Sequence, residues 1–106
     1  LIHAVIGVSG SSPAYTYMYI DALAKSAADY GMSPDKARVF AAQAVIGAAK
    51  MALSTNEELG KLVKNVCSPG GTTIEAVESL QDSGFEKIVE KAAKAAIEKS
   101  ISMSKQ

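Results

Sequence analysis

Ser12-Pro13-Ala14-Tyr15-Thr16-Tyr17-Met18-Tyr19-Ile20-Asp21-Ala22-Leu23-Ala24 decides how the rest of the chain is read. Between Ala14 and Ala24 the only charge is Asp21. Ser12 is an N-cap residue, and Pro13 suits the first helical position, where a missing N–H costs nothing and φ is already set. The stretch predicts a helix fed by a Gly10-Ser11-Ser12-Pro13 loop and running to about Tyr30, with Gly31 supplying the left-handed residue that ends it. A helix apolar nearly all round needs cover on several sides, more than a chain of 106 residues readily provides for itself.

The pattern repeats downstream. Ser33 caps, Pro34 follows, and Asp35 sits favourably in the first turn of a second helix that should reach about Leu53. Phe40, Ala44, Gly47, Ala48 and Met51 fall on or near one face of it. The pairs Ala37/Ala41 and Ala44/Ala48 permit close helix approach, either inside one domain or across a subunit boundary. The apolar first helix favours the boundary. Thr55-Asn56-Glu57-Glu58 has the form of a capping box before a short helix with Leu59, Leu62, Val63 and Val66 inward. Thr72 and Glu75 form a second such box, opening a helix that ends before Gly84. The last helix starts near Phe85, with Phe85, Ile88, Val89, Ala92 and Ala96 on one face and a tail from Ser100 to Gln106 expected to fray. No stretch alternates with period two, and no repeat or linker interrupts the chain. Residues 1–106 read as one all-α bundle of about five or six helices.

Composition narrows the function. Eleven basic and eleven acidic residues give a formal net charge of zero, which argues against a nucleic-acid surface and a polybasic membrane patch. Apolar residues make up 48% of the chain, with Ala the largest component, no Trp and two Phe. Small side chains bury little area each, so the helices must pack closely or borrow surface from a partner. Cys67 alone cannot close an intrachain disulfide, and the chain reads as cytoplasmic. No basic segment followed by an apolar run marks a signal peptide. The most apolar stretch, Val39 to Leu53, is broken by Gln43 and Lys50 and falls short of the roughly 20 residues a bilayer span needs. Leu1 opens inside the hydrophobic run Leu1-Ile2-His3-Ala4-Val5-Ile6, as if cut from a longer protein. Removal of a tag or an initiator Met is the alternative.

Chemistry concentrates in Ser68-Pro69-Gly70-Gly71-Thr72-Thr73. Two glycines let backbone N–H groups approach a ligand, and the following helix N-terminus adds unpaired donors and partial positive charge. Ser68, Thr72 and Thr73 add hydroxyls. The result is an anion pocket suited to a small carboxylate. No Lys follows the glycines, so it is not a nucleotide P-loop. A plain helix-start loop with a capping Thr is the simpler alternative. Gly10-Ser11-Ser12-Pro13-Ala14-Tyr15 is a weaker second candidate. Tyr15, Tyr17, Tyr19 and Tyr30 read as packing residues more than as an aromatic surface. Cys67 reads as a small filler, since the only His lies far away at position 3. His3 has no partner at ligand spacing, so no metal site is expected. Glu86, Lys87, Glu90, Lys91 and Lys94 read as a solvated face.

The order of these motifs resembles the C-terminal domain of pyrroline-5-carboxylate reductases. Ser9-Gly10-Ser11-Ser12-Pro13-Ala14-Tyr15 is similar to the opening of that domain. Asp21-Ala22-Leu23-Ala24, Gly31-Met32, Ala42-Gln43 and Gly47-Ala48-Ala49-Lys50-Met51 follow in family order. Cys67-Ser68-Pro69-Gly70-Gly71-Thr72-Thr73-Ile74 looks like the family's defining motif, and Gly84-Phe85 closes the match. Ser12 departs from a common Gly.

The resemblance implies an enzyme that reduces the C=N bond of 1-pyrroline-5-carboxylate to L-proline with NADPH or NADH. It implies an N-terminal Rossmann domain, outside this chain, that binds most of the cofactor. It also implies a helical domain of the 6-phosphogluconate-dehydrogenase-like kind that interlocks with its twin as a homodimer, some members building rings of dimers. Carried over by position, Ser68 and the N–H groups of Gly71, Thr72 and Thr73 hold the substrate carboxylate. Thr73 reaches the ring nitrogen as the catalytic hydroxyl, and Asn65 and Val66 approach the nicotinamide. The 106-residue chain alone has no dinucleotide-binding unit and is expected to be inactive. A free-standing helical interaction module, and a dimerisation domain of a related dehydrogenase acting on another substrate, are the rival readings.

Overall fold

Residues that supply or withhold backbone donors punctuate this chain. A computed structural model describes residues 1–105. Every regular element among them is helical: α1 (Ile2–Val5), a π-helical turn (Ile6–Gly10), α2 (Ser12–Asp29), α3 (Pro34–Ser54), α4 (Leu59–Val66), α5 (Thr72–Asp82) and α6 (Phe85–Ser104). The all-α expectation holds, with five helices longer than the single turn of α1. The chain divides into two compact units, Thr16–Val66 and the combination of Leu1–Tyr15 with the segment from Cys67 onward.

Within Thr16–Val66, α2 ends where Gly31 takes φ +103°. Met32 N–H donates to the Ala27 carbonyl at 3.2 Å and Gly31 N–H to the Ala28 carbonyl at 3.0 Å, the paired bonds of a Schellman ending. Ser33 then caps α3 from an extended backbone, its hydroxyl accepting from Lys36 N–H at 3.4 Å, with Pro34 in the first helical position. The capping box at Thr55 does not form. Thr55 is the extended residue that terminates α3, and its hydroxyl accepts from the nearer Glu57 N–H at 3.1 Å. Lys61 and Leu62 instead donate to the Glu58 carbonyl, so α4 starts at Leu59.

In the other unit, the expected loop before Pro13 is helical. Pro13 has no N–H to donate and crowds the carbonyl four residues back, so the ladder widens. Ser11 N–H reaches the Ile6 carbonyl at 2.7 Å and closes a π turn. Ser12 is thus the first residue of α2, continuing a helical approach from Ile2. The approach lies on α6 at Gly7, which is buried. A Cβ there would stand 2.5 Å from Ile97 Cγ1 and 3.0 Å from the Ala93 carbonyl oxygen. Tyr15 OH donates to the Gly7 carbonyl at 3.3 Å, and His3 Nδ1 pairs with Ser100 Oγ at 2.7 Å. The tail expected to fray is therefore helical to Ser104, tied at Ser100. Gln106 lies outside the described residues.

Only Ala37, Ala41 and Gly7 are buried among the described residues. The chain exposes 8600 Å². A compact monomer of 11.0 kDa exposes about 5,600 Å², and even two separate bodies of half that mass about 6,800 Å². Many large apolar side chains are among the exposed ones. Met18, Tyr19 and Leu23 of α2 are exposed, as are Leu59, Val63 and Val66 of α4, which were expected inward. On α6, Phe85, Ile88 and Val89 are exposed too, because the contact this helix makes with the π turn runs along Ala93 and Ile97. On α3, Ala37 and Ala41 are buried at 2% and 8% exposure, whereas Phe40, Ala44, Gly47, Ala48 and Met51 lie open as one face. Of the two small-residue pairs, one packs within the chain and the other is left for something else.

Candidate functional site

Four residues build the turn that aims α5. Ser68-Pro69-Gly70-Gly71 closes with Gly71 N–H donating to the Ser68 carbonyl at 2.9 Å. Pro69 presets its own φ, and Gly70 takes φ +71°, the pattern of a type II turn. Gly71 is then the N-cap of α5, at φ −88° and ψ 177°, with no side-chain cap bond. Thr72 is therefore inside the helix, and the second expected capping box is absent. A helix whose cap carries no acceptor leaves its first N–H groups unsatisfied, here those of Thr72, Thr73 and Ile74.

This alters the expected donor set. Gly71 N–H is spent on the turn, and Ile74 N–H, in the third helical position, joins Thr72 and Thr73. Ile74 was outside the expected set because that set was carried over from the family resemblance and not from the position of the helix start. The hydroxyls of Ser68, Thr72 and Thr73 have no hydrogen-bond partner among the described residues. Ser68 and Thr72 are exposed and Thr73 is half-buried. Three aligned N–H groups, nearby hydroxyls and the positive end of the α5 dipole can hold a carboxylate. Asn65 and Val66 sit at the last turn of α4, both exposed.

The second candidate, Gly10-Ser11-Ser12-Pro13, offers no such opening. Ser11 N–H is bonded within the π turn, Pro13 has none, and Ala14 N–H returns to the Ser11 carbonyl at 3.1 Å. Tyr15 packs, whereas Tyr17, Tyr19 and Tyr30 are exposed, Tyr30 at 95%. Cys67 is a half-buried free thiol. No cluster of side chains among the described residues could hold a metal ion. No helix among them is long and apolar enough to cross a membrane. Glu86, Lys87, Glu90, Lys91 and Lys94 are exposed, as expected of a solvated face.

A groove of about 700 Å³ runs between α2 and α3, lined by Tyr17, Ile20, Asp21, Lys25, Asp35 and Arg38 among others. Lys25 and Asp21 pair at 2.8 Å on its rim. The hydrogen bond to Asp21, then its charge, raise the Lys25 ammonium above its ordinary range.

Residues 1–103 match the pyrroline-5-carboxylate reductase dimerisation family. The chain is 54% identical over 105 residues to the pyrroline-5-carboxylate reductase of Escherichia coli K12, covering 99% of this chain and 39% of that one. It is 46% identical over 95 residues to pyrroline-5-carboxylate reductase 2 of Bos taurus, covering 90% and 30%. Among solved structures, the Plasmodium falciparum pyrroline carboxylate reductase with NADP bound superposes with a TM-score of 0.90 at 30% identity, over 96% of this chain and 39% of that one. The Streptococcus pyogenes 1-pyrroline-5-carboxylate reductase superposes with a TM-score of 0.90 at 33% identity, over 94% and 39%. The chain thus spans about two fifths or less of the length of these relatives. A dimerisation domain points to a homodimer, in keeping with the open face of α3. From Leu1 to Met103, then, the chain belongs to the pyrroline-5-carboxylate reductase dimerisation-domain family.

Proposed function

We propose that this chain is the C-terminal domain of a cytoplasmic enzyme that reduces 1-pyrroline-5-carboxylate to L-proline, and that the Ser68–Thr73 loop binds the substrate. The observation that carries this reading is the uncapped N-terminus of α5, set behind the Ser68–Gly71 turn, in a chain of this family. The N–H groups of Thr72, Thr73 and Ile74, with the Ser68 hydroxyl, hold the substrate carboxylate. Such charge-assisted bonds are roughly twice as strong as neutral ones. The carboxylate acts as the cap that Gly71 does not provide.

The nicotinamide cofactor, NADPH or NADH, is held mainly by an N-terminal nucleotide-binding domain. No strand, and so no strand–glycine loop–helix unit for its phosphates, exists among the described residues. What the chain offers fits the nicotinamide end only. Asn65 can hydrogen-bond a carboxamide and Val66 can pack a ring, while the negative end of α4 suits a neutral or cationic group better than a phosphate. When bound, the cofactor supplies the hydride.

The substrate ring nitrogen is protonated before reduction. The Thr73 hydroxyl accepts a hydrogen bond from that N–H, which orients the iminium and favours its protonated form; protonation makes the ring carbon electrophilic. Addition of the hydride there converts C=N to C–N, and the proton stays on the nitrogen as the product amine. No protein nucleophile is required. Two copies of the chain interlock through the exposed apolar faces, and the 106-residue chain alone is inactive.

The test uses the full-length reductase that contains this chain. NADPH oxidation with 1-pyrroline-5-carboxylate should be lost on Thr73→Val, by about 100-fold in kcat if the hydroxyl acts at the reacting nitrogen. Thr73→Ser should be milder. Wild-type kinetics in the Val variant would remove Thr73 from the chemistry. An inactive, well-folded wild type would mean the scaffold serves another substrate or assembly alone.

A further inference from the structure

Gly70 makes no contact that explains it. A Cβ at this position would meet nothing within 4 Å, so no packing demand selects glycine. What selects it is φ +71°, a conformation an L-alanine adopts only at a cost. That conformation closes the turn whose one hydrogen bond, Gly71 N–H to the Ser68 carbonyl, is 2.9 Å long. The bond determines two things at once. It brings Ser68 against Gly71, the N-cap of α5, where a Cβ would stand 3.4 Å from Ser68 Cβ, and it removes Gly71 N–H from the donors, leaving those of Thr72, Thr73 and Ile74. We propose that Gly70 is a positioning residue for the substrate carboxylate, setting the distance between Ser68 and the first N–H groups of α5. The inference rests on the functional reading above.

Gly70 has no side chain with which to reach the reacting nitrogen or the hydride path. Its loss weakens a contact made equally in the ground state and the transition state, and such a loss raises KM with little change in kcat. Thr73 has the opposite signature. In the full-length reductase, Gly70→Ala should raise KM for 1-pyrroline-5-carboxylate by about ten-fold with kcat within about three-fold of wild type. Gly70→Asn should return most of the loss, because Asn tolerates the left-handed region. Gly70→Val, β-branched, should be the worst of the three. A merely structural role would lower the melting temperature and the active fraction and leave KM unmoved. The inference is overturned if the Ala variant keeps wild-type KM, or if Asn and Ala raise it equally. Should the Ala variant fail to fold, the Asn variant decides alone: a near-wild-type KM supports the inference, and a ten-fold rise overturns it. An inactive wild type sinks the functional reading and this inference with it. Wild-type activity with no change in KM for the Ala variant sinks the inference alone.

Discussion

Adding one methyl group at Gly7 should destabilise the fold, although it replaces the poorer helix former with the best. The new Cβ would stand 2.5 Å from Ile97 Cγ1, 3.0 Å from Ile97 Cδ1 and 3.0 Å from the Ala93 carbonyl oxygen. Carbon atoms pack comfortably at about 3.5–4.0 Å, so something must move by about 1 Å. The Ile97 side chain can change rotamer, but the Ala93 carbonyl belongs to the α6 backbone and cannot turn aside. Overpacking of this kind costs about 1–3 kcal/mol. Against it stands the helical gain of Ala over Gly, about 0.5–1 kcal/mol. Gly60 isolates that gain, since it is also helical and a Cβ there would meet nothing within 4 Å. Gly60→Ala should stabilise by the helical gain alone. Gly7→Ala should therefore fall below Gly60→Ala by about 1–3 kcal/mol, or about 5–20 °C in melting temperature for a domain of this size. Thermal unfolding followed by circular dichroism reads this, at one protein concentration, because association raises apparent stability with concentration. Ile97→Ala removes the atoms that collide and should recover part of the Gly7→Ala loss. If the two glycine variants melt together, α6 and the π turn do not approach at Gly7 and the packing described for this unit is wrong.

Other outcomes follow from the same geometry. Gly71→Asp should place a carboxylate at the α5 N-cap and leave the melting temperature near wild type. The Ser68 carbonyl need shift only slightly, since a Cβ at position 71 stands 3.2 Å from it. In steady-state kinetics the variant should raise KM for a carboxylate substrate by about 5- to 1,000-fold, because two like charges at about 4 Å repel by roughly 1–4 kcal/mol between bulk water and a protein surface. Ala48→Glu, on the open face of α3 beside Ala44 and Gly47, should weaken self-association by about 100-fold or more in sedimentation equilibrium. An unpaired buried charge costs about 3–5 kcal/mol, and unchanged association would place the dimer contact elsewhere.

The helix boundaries were legible where a residue acts on its own backbone. Gly31, Ser33 with Pro34, and Gly84 each end or begin a helix as their chemistry requires. The readings failed where two local options competed. Thr55 and Thr72 both carry the capping-box spacing, yet Thr55 bonds a donor two residues on and Thr72 is displaced into α5 by the turn that makes Gly71 the cap. The helical run from Ile2 to Gly10 was hidden because Gly10-Ser11-Ser12-Pro13 has the composition of a loop, and the packing of Gly7 against Ile97 and Ala93 is a contact between residues far apart in sequence. His3 with Ser100 was illegible for a different reason. The partners are 97 residues apart, and nothing local in either predicts the other. The inward faces assigned to α4 and α6 were apolar as read, but period alone cannot say which molecule covers an apolar face.

Two kinds of unmet demand remain in this chain, and they call for different partners. The exposed apolar faces of α3, α4 and α6 are non-directional; any surface of matching shape relieves them, and a second copy is always available at the same concentration. The N–H groups of Thr72, Thr73 and Ile74 are directional and carry partial positive charge, so an apolar surface cannot satisfy them and only an acceptor at hydrogen-bond distance will. A side chain at position 71 could have met that demand internally, as Ser33 does for α3. Gly71 does not, and this forgoes only a few tenths of a kcal/mol relative to a Ser or Asp cap. The helix can therefore stand uncapped at small cost while keeping its strongest donors for an anion from outside.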